Sequence, residues 1–231
     1  MLRSKNSLVA LTCVLSISAT PAVDAALSTF DAGREGWSVV DLIQPFNGLP
    51  TVASVLTPVF TPIGGNPGGA IQQSDPSGNA WFFSAPSAFL GDKSASLSGN
   101  ISWDLALDRP AGGGGNSFEQ LIITDGVTAL YYLDTGPDTA NTWRTYEVSL
   151  VGSSFHVGSS SGLLSTDAEL ETVLSNLNGL YILGDWTNGI EVGSLDNVAM
   201  SPVPLPGAAW LLASSLIGIA GVQNRRKQKV A

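Results

Sequence analysis

The chain has one histidine, His156, and one cysteine, Cys13, and these two counts limit the chemistry available to it. A Ser-His-Asp nucleophile would have to use His156. No G-x-S-x-G elbow is present, however, and the Ser/Gly run from Gly158 to Gly162 reads as a loop. Zinc requires several nitrogen or sulfur ligands, and a single imidazole does not provide them. Hydrolysis of a glycosidic bond needs two carboxyl groups converging across a cleft, about 5 to 10 Å apart. Glu169 and Glu171 are two positions apart on a helical segment and do not share a face. As early-turn acids they suit the helix dipole instead. No glycine-rich loop follows a strand and opens a helix, so nucleotide binding is not indicated. One aromatic stands out as a contact residue: Trp186 sits between Asp185 and the turn sequence Thr187-Asn188-Gly189. That setting predicts a ring at a loop tip, where it would stack on a sugar.

The elements that must position these residues are mostly strands. Asn100 to Asp108 alternates Ile101, Trp103, Leu105 and Leu107 with smaller or polar residues, the pattern of a strand with one buried face. Glu119 to Thr124, Ala129 to Asp134, Trp143 to Leu150, Leu180 to Asp185 and Asp196 to Ser201 are further strands, separated by turn residues. Gln44 to Gly69 is rich in proline and glycine and reads as a long, loosely ordered stretch with one edge strand near Val52 to Phe60. One helix is expected: Thr166-Asp167-Ala168-Glu169 is a capping box, Leu170, Val173, Leu174 and Leu177 share a face, and Asn178-Gly179 ends it. Trp81, Phe82, Phe83 and Phe89 concentrate aromatic area and are expected to build one wall of the core. With no helices alternating between strands, the pattern predicts an all-β, antiparallel β-sandwich with one short helix.

The two ends read as export signals. Arg3 and Lys5 precede the apolar stretch Leu8 to Ile17 and then Ala22-Val23-Asp24-Ala25-Ala26, a signal peptide cut after Ala25 or Ala26 (residues 1–25). Cys13 lies inside it, so the mature domain of residues 26–201 has no thiol for a disulfide or nucleophile. At the other end, residues 202–231 hold Val203-Pro204-Leu205-Pro206-Gly207, a charge-free run to Val222, and the basic residues Arg225, Arg226, Lys227 and Lys229. As a helix the run covers roughly 24 Å, marginal for a hydrocarbon core of about 30 Å. The basic tail places that end in the cytoplasm and the body outside.

This order of proline motif, apolar helix and basic tail resembles the PEP-CTERM class of C-terminal sorting signals, in its VPLP variant. The resemblance implies cleavage by a membrane exosortase near the proline motif and transfer to the cell surface or an extracellular polymer. A plain transmembrane anchor that is never cut is the other reading of the same residues.

Composition narrows the partners. The full chain has net charge −9. Between residues 26 and 201, four basic residues face eighteen acidic ones, a balance of −14. Such a surface repels nucleic acid and anionic lipid and keeps an exported protein soluble.

The run Trp81-Phe82-Phe83-Ser84-Ala85-Pro86-Ser87-Ala88-Phe89-Leu90-Gly91-Asp92 and the closing Ser194-Leu195-Asp196-Asn197-Val198-Ala199-Met200 resemble the laminin B domain, also called laminin IV type A. The likeness extends over about Phe30 to Ser201. It departs at Leu97-Ser98-Gly99, where the family usually has tyrosine and paired glycines. It implies a jelly roll similar to carbohydrate-binding modules, with a structural or adhesive role and no catalysis; a glycan-binding module is the alternative. In related sugar-binding jelly rolls a structural calcium ion often joins the first strand to the last, which makes Asp31 and Asp196 its candidate ligands here.

Overall fold

The computed structural model describes residues 25–109, 118–137, 139–187 and 189–201. Within them lie thirteen strands: β1 Ala26–Ser28, β2 Ser38–Leu42, β3 Val52–Leu56, β4 Val59–Gly65, β5 Gly68–Ser74, β6 Ala80–Ser84, β7 Asn100–Leu107, β8 Phe118–Thr124, β9 Ala129–Asp134, β10 Arg144–Ser149, β11 His156–Val157, β12 Gly179–Leu183 and β13 Val192–Ser201. The one α-helix, α1, spans Asp167–Ser175. The strands form two antiparallel sheets. One runs β10-β7-β13-β5-β4, with β1 beside β13; the other runs β11-β9-β8-β12-β6-β2-β3. β13 is long enough for two partners on one side: β5 pairs with its first half, Val192 to Leu195, and β1 with its second, Val198 to Met200.

The sandwich and the single helix are therefore as the sequence predicts, and the expected C-terminal membrane helix lies outside the described residues. Among the described residues no helix is long and apolar enough to cross a membrane. The stretch Gln44 to Gly69 differs from expectation. It contains β3 and β4, which belong to opposite sheets, joined by Thr57 and Pro58. Both are edge strands, exposed along most of their length, so they lack the alternation of buried residues that marks a half-buried strand.

The aromatic block forms a core wall as expected. Trp81, Phe82, Phe83 and Phe89 are fully buried. Trp81 meets Phe83 edge-on at 5.2 Å, Trp37 joins Phe89 at 5.3 Å, and Trp103 stacks on Tyr146 at 5.5 Å. Helix α1 closes one end. Thr166 Oγ1 accepts from Glu169 N–H, and Glu169 Oε2 accepts from Thr166 N–H at 2.7 Å, completing the capping box. Leu170, Val173 and Leu174 face inward. On β7 the alternation is incomplete, because Asp104 and Ala106 are buried as well. β7 is a central strand, and a polar cluster described below covers Asp104.

The turn that departs from the family pattern carries strain. Ser98 is exposed and has φ 64°, a left-handed conformation that costs a non-glycine residue about 1–2 kcal/mol. Ser98→Gly should therefore raise stability by about 0.5–1 kcal/mol, partly offset by glycine's greater freedom when unfolded. Thermal unfolding checks this; a lower midpoint would show that Ser98 makes a compensating contact. The neighbouring glycine is fixed by space, since a Cβ on Gly99 would strike the Ser201 carbonyl.

Candidate binding site

The segment after β2 folds back across the outer face of the seven-stranded sheet. Phe46 packs edge-on against Phe82 at 5.6 Å and stacks near Tyr131 at 6.4 Å. The Tyr131 hydroxyl donates to Gly48 O at 2.8 Å, and Gly48 N–H donates to Gly158 O at 2.6 Å. These contacts hold the Gln44–Gly48 loop beside the serine loop that follows β11. Between them is an open cleft of about 500 Å³, lined by Gln44, Pro45, Phe46, Asn47, Glu119 and Ser159 to Ser161.

His156 shapes this cleft. Its Nδ1–H donates to Gly162 O at 2.8 Å, pinning the serine loop whose other end starts at β11. Its ring is thus engaged in holding one cleft wall, beside strand β9, where it pairs with Tyr131. Burial, together with the nearby Glu119 carboxylate, pushes the Tyr131 phenol up to about 12, so it stays a proton donor at all ordinary pH values. The lining combines amides, hydroxyls and one carboxylate with a half-buried aromatic ring. That set matches a hydroxyl-rich, uncharged ligand better than an anion. Glu119 is the one carboxylate among the described lining residues.

Trp186 is not where the sequence places it. It is 1% exposed, stacks edge-on against Phe118 at 5.4 Å, and its indole N–H donates to Leu183 O at 3.2 Å. The ring folds into the sandwich, where Phe118 offers it an apolar face. A sugar cannot stack on it. The same bend buries Glu191, whose Oε1 accepts the Trp186 backbone N–H.

Asp31 and Asp196 are brought into electrostatic reach, with Asp104 as a third acid that the sequence reading did not include. Burial raises the Asp196 carboxyl, and Asp104 and Asp31 act in the same direction. Their oxygens are nonetheless well supplied by protein donors. Asp196 accepts from Asn66 N–H at 2.5 Å and Asn197 N–H at 2.7 Å. Asp104 accepts from Thr145 Oγ1 at 2.5 Å, Asn66 Nδ2 at 3.1 Å and Asn197 Nδ2 at 2.8 Å. Asp31 is exposed and accepts from Thr29 Oγ1. Among the described residues no group of three or more Asp, Glu, His or Cys is arranged to hold a metal ion. Each carboxylate keeps lone pairs beyond those these donors use, and oxygen is the ligand type that suits calcium. Unfolding midpoints in excess calcium and in excess chelator test whether Asp31 and Asp196 hold the ion, since binding to the folded state alone would separate them: agreement to within about 1 °C removes it. A rise of several degrees with calcium would support the ion.

Residues 82–207 match the model of the laminin B (Domain IV) family, more than half of the chain. The chain belongs to the laminin B family. Among solved structures, this laminin B domain overlays the L4b domain of human laminin α2 with a TM-score of 0.61 at 12% identity, over 80% of this chain and all of that one. At that identity the overlay establishes the shared fold. Looser overlays include the family 11 carbohydrate-binding module of the Clostridium thermocellum cellulase Lic26A-Cel5E, at TM-score 0.46 and 19% identity over 79% of this chain and 96% of that one. The N-terminal cellulose-binding domain of a Cellulomonas fimi β-1,4-glucanase gives 0.39 and 15%, over 81% and 100%. No curated protein matches the sequence.

The sequence contains the cleft residues, but nothing in their spacing joins positions 44–47, 119 and 159–161. The one available signal was Phe46, a lone aromatic in a polar, proline-rich stretch.

Proposed function

We propose that this laminin B domain is an exported, non-enzymatic adhesive module that binds a neutral, hydroxyl-rich extracellular ligand, an oligosaccharide segment, in the cleft between the Gln44–Gly48 loop and the serine loop. The observation that carries this reading is the lining itself: Gln44, Asn47 and three serines offer donors and acceptors to hydroxyls, Phe46 offers a ring to the apolar face of a sugar, and no basic side chain is present to select an anion. A role in adhesion also accords with the family, whose laminin members include the human L4b domain.

Screening against an array of extracellular oligosaccharides, followed by calorimetry, tests this. Phe46→Ala should weaken binding at least about tenfold, equivalent to 1.4 kcal/mol, with Glu119→Gln having a smaller effect. Binding that both variants retain in full would place the ligand elsewhere. No binding across the array would remove the glycan reading and leave a purely structural role.

Delivery follows from the two ends. The secretion machinery removes residues 1–25, and an exosortase reads Val203-Pro204-Leu205-Pro206-Gly207 while the apolar segment and the basic residues Arg225, Arg226, Lys227 and Lys229 hold the chain at the membrane. The intact mass of surface-released protein separates this from simple anchoring: loss of everything beyond the proline motif supports sorting, and a retained C-terminus supports an anchor.

A further inference from the structure

The two sheets leave several open edges, and most are guarded. β11 has two residues and β1 three; β10 carries Arg144 and Glu147; β4 contains Pro62. Short length, charge and proline are the ordinary means by which an edge strand avoids pairing with another chain. β3, Val52-Ala53-Ser54-Val55-Leu56, has none of them. It pairs with β2 on one side, and among the described residues no strand pairs with its other side. Val52 is 43% and Val55 66% exposed, and on the adjoining β4 Val59 is 61% and Ile63 83% exposed.

The charge pattern identifies the partner. No Asp, Glu, Lys or Arg occurs between Asp41 and Asp75, whereas the domain as a whole carries −14. Two copies meeting through most of the surface would oppose like charges; meeting through this stretch, they would not. A basic partner would be drawn to the acidic surfaces instead, and an anionic membrane finds no lysine or arginine in the stretch to hold it. We infer that β3 is a self-association edge, at which two copies of this chain pair β3 to β3 antiparallel about a two-fold axis and join their seven-stranded sheets into one. In the register that pairs all five residues, Ser54 lies opposite Ser54, and Val52 lies opposite Leu56 of the second copy. A five-residue edge with three exposed apolar side chains, Val52, Ala53 and Val55, supplies on the order of 500 Å² per partner, the low end for a specific interface, so the pairing should be reversible and concentration-dependent.

The full chain in mild detergent, with Cys13→Ser to remove its one cysteine, provides the test. Ser54→Cys should give a disulfide-linked dimer on oxidation, because residues directly opposite across an antiparallel pair have Cα atoms about 4.5–5.5 Å apart. Ser153→Cys, exposed elsewhere, should not. Val55→Lys should abolish the dimer in sedimentation velocity while leaving the unfolding midpoint unchanged, since Val55 is largely exposed. Two results would overturn the inference: a Ser54→Cys chain that stays monomeric, or an association that Val55→Lys does not disturb, which would assign it to another part of the chain.

Discussion

Trp81→Ala should destabilise the folded domain by about 3–5 kcal/mol, a fall of roughly 10–15 °C in the unfolding midpoint. Trp81 is fully buried at the centre of the aromatic wall, and two glycines exist to make room for it. A Cβ on Gly184 would overlap the Trp81 ring, and one on Gly193 would lie 2.7 Å from it. Its indole N–H has no hydrogen-bond partner, so the loss is one of packing and cavity formation rather than of a polar contact. The same geometry makes a sharper test. Gly184 does not occupy the left-handed region, so Gly184→Ala introduces no backbone strain and acts only through its clash with the ring. It should cost about 1–3 kcal/mol alone and close to nothing in the Trp81→Ala background. Additive costs in that cycle would mean that Gly184 serves another purpose.

The second large effect is on pH dependence. Asp185 is pushed up to about 7, first by burial, then by the neighbouring Glu191 and Asp75 carboxylates and by its hydrogen bond to Glu191; a backbone hydrogen bond from Trp81 acts weakly the other way. Burial raises Glu191 and Asp196 too. For an acid whose folded value lies above its unfolded value of 3.8, the folded state holds the proton more tightly. Stability is then fully present below about pH 4 and is lost as pH rises to about 7. The lowered groups, Asp92 and Glu169, are exposed, held down by hydrogen bonds from Ser94 and Thr166, and act below this window. Unfolding midpoints should therefore decline between about pH 4.5 and 7 and level off above. Asp185→Asn, which keeps a donor toward Glu191 without a titrating proton, should flatten most of that decline and be more stable than the parent at pH 8. An unchanged slope would show that Asp185 is solvated enough to titrate normally.

Both effects arise where distant residues meet, and this marks the boundary of what the order of residues reveals. Local patterns were legible. The alternation from Ile101 to Leu107 predicted β7, the Thr166–Glu169 box predicted the start of α1, and the crowded aromatics from Trp81 to Phe89 predicted a core wall. Each depends on a period or a contact within a few residues, and a short-range signal survives in any fold. The family blocks at Trp81 to Asp92 and Ser194 to Met200 added the sandwich itself.

What the sequence by itself determined is the class of the domain: acidic, strand-rich and built on one aromatic wall. The tertiary structure alone decided which residues face outward. Trp186 points inward rather than out at a loop tip, because Phe118, far away in the chain, offers it an apolar surface. Asp31, Asp104 and Asp196 are drawn together, and Asn66, from the turn between β4 and β5, and Thr145, from β10, donate to two of them. The cleft is held in shape because Tyr131 and Gly158 catch the backbone of Gly48 from across the sheet. Exposure and hydrogen-bond partnership are set by closure of the sandwich over long sequence separations, and no periodicity along the chain encodes them.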